Sequence, residues 1–379
     1  MDSSLKGQFR RGLKILLSFV VFLVMLEAAA RVDDRIRYGA PLLDKYSSDL
    51  LRTNDSDGIR MNVPGSHFEK WKINRFGFRG REIELQKPKG IKRIICMGSS
   101  ETFGLYEDLG KEWPAQLGEM LASIGHFEVI NASVTGLYLK DFRPYMEKYV
   151  LRFDPDFVIL VVNPYYYGLE NRGNHVAAKP NAGDTKKRDK GGRFSGWDLS
   201  QECRILPKMK QAVKRAMPED FYRRYALWSM ARQVDRLEHS YLKGRKAADV
   251  ISKGGLENFK SDLENLVEFL RRKGIDVILI SYPALISKEN IREHLDVFLD
   301  YRRFCIGLSF EGIIDCLLKA NEMIRSVAIE SGSGFVDLES AIPKTTEFFG
   351  DNVHYTDKGA KIVALKLYEY TKGRTALNR

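Results

Sequence analysis

Two short stretches near opposite ends of the chain hold side chains that could work on an acyl bond together. The first is Met97-Gly98-Ser99-Ser100-Glu101-Thr102-Phe103-Gly104, which follows the apolar run Arg93-Ile94-Ile95-Cys96 and presents two hydroxyls on a small-residue turn. A free hydroxyl is a poor nucleophile at neutral pH and needs a neighbouring base. Of the six histidines, only His354 sits in a strongly patterned context, Asp351-Asn352-Val353-His354-Tyr355-Thr356-Asp357-Lys358-Gly359-Ala360. Thr356 or Asp357 can cap the helix that follows, which puts His354 on the loop entering it. Asp351, three residues earlier, is close enough for its carboxylate to bond one imidazole nitrogen. That bond would fix the tautomer and stabilise the imidazolium, leaving the other nitrogen to take a serine proton. A fold is required that brings a turn near residue 100 to a loop near residue 354.

The chain carries the pattern for such a fold. Segments 93–97, 127–131, 157–162, 276–281 and 334–338 read as strands, and the run FVILVV at 157–162 suits a strand covered on both faces. Segments 113–124, 139–150, 256–272, 310–331 and 356–370 have helical spacing, and Gly274 stands where a helix stop belongs. Strand and helix alternating through short joins predict an α/β domain. Its core is a doubly wound, flavodoxin-like parallel sheet of about five strands with helices on both faces. Sites in such sheets form at the carboxyl ends of the strands, where Ser99 and Ser100 fall. The pattern pauses between Gly168 and Gly255. Residues 171–197 have Gly, Asn, Lys and Arg in excess and read as a mobile surface loop. Residues 205–245 read as a basic helical cap, its charges a solvated face or a grip on an anionic substrate.

At the amino terminus, Lys6, Arg10, Arg11 and Lys14 lead into twelve uncharged residues, 15–26, with Glu27, Ala28, Ala29, Ala30 and Arg31 beyond. A basic flank before an apolar run is an export signal whose positive end stays in the cytoplasm. Twelve helical residues span about 18 Å against a hydrocarbon core of ~30 Å, and continuation through Ala30 lengthens the span. Residues 1–31 are expected to be a signal-anchor. It would cross the inner (plasma) membrane once and leave the bulk of the chain on the periplasmic or extracellular side. Cleavage at the small-x-small pattern of Ala28 and Ala30, releasing a secreted protein, is the competing outcome. Residues 32–91 form an extension whose distinctive stretch is Asn74-Arg75-Phe76-Gly77-Phe78-Arg79-Gly80, with glycines for turns and phenylalanines able to pin it to the main domain. Residues 92–379 are the main domain, with an insertion at about 169–255.

With 44% hydrophobic residues the chain can bury a core, and a formal net charge of +11 suits an anionic neighbourhood such as phospholipid head groups or acidic polysaccharide. It contains no finger, basic zipper or aromatic-basic RNA motif, so no nucleic-acid partner is expected. The four cysteines form no CxxC pair, and no metal or cofactor is expected. Cys96 reads as a small buried hydrophobe, and a Cys305–Cys316 bridge is open to the chain in an oxidising compartment.

Four blocks in chain order resemble those of the SGNH (GDSL-type) hydrolase family. They are GSSETFG at 98–104, Val129-Ile130-Asn131-Ala132-Ser133-Val134-Thr135-Gly136, the run DPDFVILVVN at 154–163, and Asp351-Asn352-Val353-His354. The amino-terminal segment and residues 74–80 are similar to the family's membrane-anchored bacterial branch. The resemblance implies that Ser100 is the nucleophile, with Ser99 where the family's eponymous Asp usually stands. It implies that the N–H groups of Ser100 and Gly136 hold the oxyanion, and that Asn163, a residue or two earlier than the family's spacing, supplies a further donor. The activity implied is a serine esterase acting outside the cytoplasm on the acyl group of a polysaccharide or lipid, through Ser100, His354 and Asp351 and without a cofactor. Two other readings stay open. One is a polysaccharide O-acetyltransferase with the same three residues, and the other is a catalytically inactive binding or assembly protein on the same fold.

Overall fold

The computed structural model describes residues 3–165, 167 and 203–377, so the loop expected at 171–197 lies outside the described residues. Two short antiparallel hairpins come first, β1 (Arg52–Asn54) with β2 (Arg60–Asn62) and β3 (His67–Phe68) with β4 (Trp71–Lys72). Strands β5 (Lys92–Met97), β6 (Phe127–Asn131), β7 (Phe157–Leu160), β8 (Asp276–Ile280) and β9 (Gly334–Val336) then form one parallel sheet in the order β6-β5-β7-β8-β9. This is the doubly wound α/β arrangement that the alternation predicts, and its chain order reverses between β5 and β7.

Side chains alternate across each strand, so each builds two cores at once. Ile94, Cys96, Ile159, Ile278 and Ile280 face one side, and Ile95, Met97, Val158, Leu160, Val277 and Leu279 face the other. The helices, in chain order, are α1 (Ser3–Tyr38), α2 (Ser100–Phe103), α3 (Trp113–Ala122), α4 (Leu139–Tyr145), α5 (Ile205–Ala216), α6 (Glu219–Leu242), α7 (Lys253–Arg272), α8 (Leu295–Arg302), α9 (Phe310–Ser331) and α10 (Asp357–Leu377). Leu117 of α3 and Val363 and Leu367 of α10 close the first core; Phe142 of α4 and Leu263 and Leu270 of α7 close the second, and α9 contributes to both.

Several element ends differ from the sequence reading for local reasons. Helix α7 starts at Lys253 because the Ser252 hydroxyl accepts the Gly255 N–H at 3.1 Å, capping the first turn. The helix expected over 139–150 is α-helical only to Tyr145 and continues as a π turn from Met146 to Val150. Pro144 lies at the junction and withholds an N–H from the ladder. Helix α8, not anticipated, is tied to α6 by Arg302 pairing with Glu238 and by Arg303, just past its end, donating to Gln233 at 2.9 Å. The Cys305–Cys316 bridge is corrected: both thiols are free and buried. The Cys316 Sγ lies 3.7 Å from the Pro164 carbonyl, and burial pushes the Cys305 thiol up to about 12.

Helix α1 is the one helix among the described residues that is long and apolar enough to cross a membrane. The extension that follows it is packed into the second core. Phe76 and Phe78 set their rings 5.0 and 5.1 Å from that of Phe153, which is fully buried beside the Arg93 guanidinium. Phe153→Ala is expected to cost about 3–5 kcal/mol of stability, as large-to-small core changes do. Denaturant titration measures that loss, and limited proteolysis should show new cleavage near residues 76–78.

Candidate active site

β5 delivers its last residues into a turn that only small side chains allow. A Cβ on Gly98 would lie 2.0 Å from the Thr102 hydroxyl, and Gly104 takes φ +88° with Glu112 and Arg79 packed against it. Between them α2 is a single turn with Ser100 as its first residue, its open carbonyls held by side chains from elsewhere. The Arg79 guanidinium donates to the carbonyls of Phe103 at 2.5 Å, Gly104, and Glu107 at 3.3 Å. Asn131 of β6 donates to Thr102 O at 3.1 Å, and the Trp71 indole to Gly104 O at 3.3 Å. Arg79 is itself buried and pairs with Glu112 at 3.4 Å.

The second stretch is anchored with equal care. Asn352, fully buried, accepts the Leu285 N–H on its carbonyl at 2.8 Å and the Ile286 N–H on its side chain at 3.0 Å, tying the loop to the exit of β8. Asp357 accepts the Asp108 N–H at 2.9 Å, joining the start of α10 to the loop after α2. Across this junction Ser100 Oγ lies 2.7 Å from His354 Nε2, and His354 Nδ1 lies 2.7 Å from Asp351 Oδ2. The other carboxylate oxygen of Asp351 accepts the N–H groups of Val353 at 2.9 Å and His354 at 3.0 Å. With Nδ1–H donating to Asp351, Nε2 is the acceptor for the serine proton.

Burial alone would pull the imidazole down; the hydrogen bond and charge of Asp351, with the charges of Glu101 and Glu107, outweigh it and hold His354 above its ordinary 6.5. Burial likewise pushes the Asp351 carboxyl up, but the His354 contact and the two amides hold it below its usual range. Asp351 therefore contributes stability that is present above the unfolded carboxylate value and lost as pH falls through the folded one. The raised His354 contributes stability that is present below its unfolded value and lost as pH rises through its folded one. Glu101 and Glu107 are buried, and each has one oxygen on a backbone N–H (Ser99 at 3.0 Å, Tyr106 at 3.1 Å) and one without a partner. Burial raises both, Glu107 to about 8 against the pull of Arg79. The Tyr106 ring leans over the imidazole at 5.7 Å.

The structure thus brings Ser100, His354 and Asp351 into one hydrogen-bonded chain. Gly136 takes φ +78° and donates its N–H to Ser99 Oγ at 2.9 Å, while Arg60 donates to the neighbouring Thr135 carbonyl at 2.7 Å. Asn163 is engaged elsewhere: its amide donates to the Tyr282 hydroxyl at 2.9 Å, and its oxygen accepts the Tyr165 N–H at 3.0 Å. Sequence reasoning missed Arg79, Asn131, Glu101, Glu107 and Asn352. Arg79 had a visible sign, the stretch at 74–80, which was read through its phenylalanines. No group of side chains suited to a metal ion occurs among the described residues.

The molecule is similar to several solved structures. A lipase/acylhydrolase from Enterococcus faecalis aligns with a TM-score of 0.42 and 15% identity, over 75% of this chain and 97% of that one. A mutant acetyl-xylooligosaccharide esterase from Geobacillus stearothermophilus aligns at 0.41 and 13%, over 74% and 93%. A GDSL-like lipase from Bacteroides thetaiotaomicron aligns at 0.40 and 14%, over 76% and 92%. No family model and no curated protein matches the chain.

Asp351→Asn removes the charge that holds His354 up and turns one carboxylate oxygen into an NH2 donor, so the imidazole should titrate at lower pH than in the parent chain. NMR of the His354 ring protons against pH reads this directly; an unmoved midpoint would mean that the carboxylate does not set it.

Proposed function

We propose that the protein is a serine esterase of SGNH type, tethered by α1 and acting outside the cytoplasm on an acyl group carried by a polysaccharide or lipid. The observation that carries the reading is the paired 2.7 Å contacts, Ser100 to His354 and His354 to Asp351. His354 takes the Ser100 proton as Oγ attacks the ester carbonyl, and Asp351 stabilises the imidazolium that forms. The same proton passes to the departing alcohol, leaving the acyl group on Ser100. His354 then deprotonates a water that attacks the acyl carbon, and Ser100 regains its proton.

The developing oxyanion needs donors. The Ser100 N–H belongs to the first turn of α2, where the helix's partial positive charge also favours an anion. The Gly136 N–H now serves a neutral hydroxyl, Ser99, and an oxyanion is a stronger acceptor that can take its place. Asn163 spends one amide hydrogen on Tyr282, and only its second could join them.

Hydrolysis of an aryl acetate tests this. Ser100→Ala should lower kcat by about 10⁴-fold or more with folding retained. Asn163→Ala should lower it less than tenfold, against about 10²–10³ for a true oxyanion donor. The acid limb of kcat/KM should lie above 6.5, the ordinary histidine value, because neutral His354 is the working form. Full activity in Ser100→Ala would end the proposal.

A further inference from the structure

Helix α5 has an apolar face that no described residue covers. Leu206, Met209 and Val213 recur at the spacing of one helix face and are 41, 47 and 49% exposed, and no residue of the helix is buried. The rest of its circumference is basic, with Lys208, Lys210, Lys214 and Arg215 and no acidic residue. An uncovered apolar stripe beside lysines is the composition of a helix that lies in the interface of an anionic bilayer.

Its attachment to α1 says where such a surface would be. Glu27 is the first charged residue after the apolar run that ends at Leu26. Its carboxylate accepts the N–H groups of Arg204 at 2.9 Å and Ile205 at 3.0 Å, capping the first turn of α5. One turn later Lys208 pairs with Asp33 and Asp34 of α1, the latter at 2.8 Å. Both aspartates lie beyond Glu27, away from the apolar run. Lys208 sits about 130° around the helix from the Leu206–Met209–Val213 stripe. The basic face of α5 is therefore turned toward the part of α1 that leaves the apolar run, and the stripe is turned away from it. The helix itself carries four cations and no carboxylate, which phospholipid head groups complement and a second copy of the same helix does not.

We infer that α5 is an interfacial helix, seated beside α1 on the outer leaflet with Leu206, Met209 and Val213 at the apolar boundary and its lysines among anionic head groups. The inference rests on the reading of α1 as a membrane span. It is tested on the full chain in nanodiscs containing a doxyl-labelled lipid. An environment-sensitive fluorophore is placed in turn at Met209→Cys, Gln211→Cys and Phe19→Cys, all in a Cys203→Ser background that leaves the three buried thiols untouched. Met209 should be quenched at least about threefold more than Gln211, and more in phosphatidylglycerol than in phosphatidylcholine discs. A Met209 probe in water while Phe19 is quenched overturns the inference and leaves the span intact. An unquenched Phe19 overturns both. A Met209 probe shielded in a protein-concentration-dependent way, but untouched by the lipid quencher, assigns the stripe to a second copy and overturns the lipid assignment.

Discussion

A single helical turn cannot hold itself, because nucleation fixes more backbone than its few hydrogen bonds repay. The turn that carries Ser100 is held instead by a buried guanidinium laid against its open carbonyl end. Arg79 can be there because Glu112 balances its charge and three carbonyls take its protons. A buried cation without such partners would cost several kcal/mol. Strand β6 reaches the same turn through Asn131, and the hairpin before the sheet reaches it through Trp71. The 2.7 Å approach of Ser100 to His354 is thus the summed outcome of contacts from three parts of the chain. None of those contacts touches the serine hydroxyl.

The imidazole stands within electrostatic reach of three carboxyls, and their surroundings separate them. Asp351 is saturated with donors and stays ionised, whereas Glu101 and Glu107 are buried with an unpaired oxygen each and shift toward the neutral acid. One position supplies a fixed negative charge, while burial raises the carboxyls of its neighbours.

The sheet was legible because buried parallel strands leave an unmistakable trace, short β-branched runs spaced by helices, and 157–162 or 276–281 could hardly be anything else. The meeting of Ser100 and His354 was legible for a different reason: the residue types and their turn and cap neighbours limit the chemistry to few partners. What escaped were contacts whose partner lies far off in sequence and leaves no local pattern. An arginine in GFRG looks like any solvated cation until a carbonyl end is found beneath it. Asn163 follows its strand by three residues, and its amide donates to Tyr282, 119 positions away. Helix α8 lacks a clean apolar face and is held to α6 by one ion pair and a hydrogen bond, which no periodicity reveals.

Arg79 and Trp71 precede the first sheet strand, and that order has a consequence for modularity. A boundary drawn where the sheet begins, at residue 92, would sever the Ser100 turn from the side chains that fasten it. The unit that holds Ser100, His354 and Asp351 together is therefore larger than its sheet. Transplanting it onto another carrier, or trimming the chain for expression, has to respect a border that runs upstream of the β3–β4 hairpin.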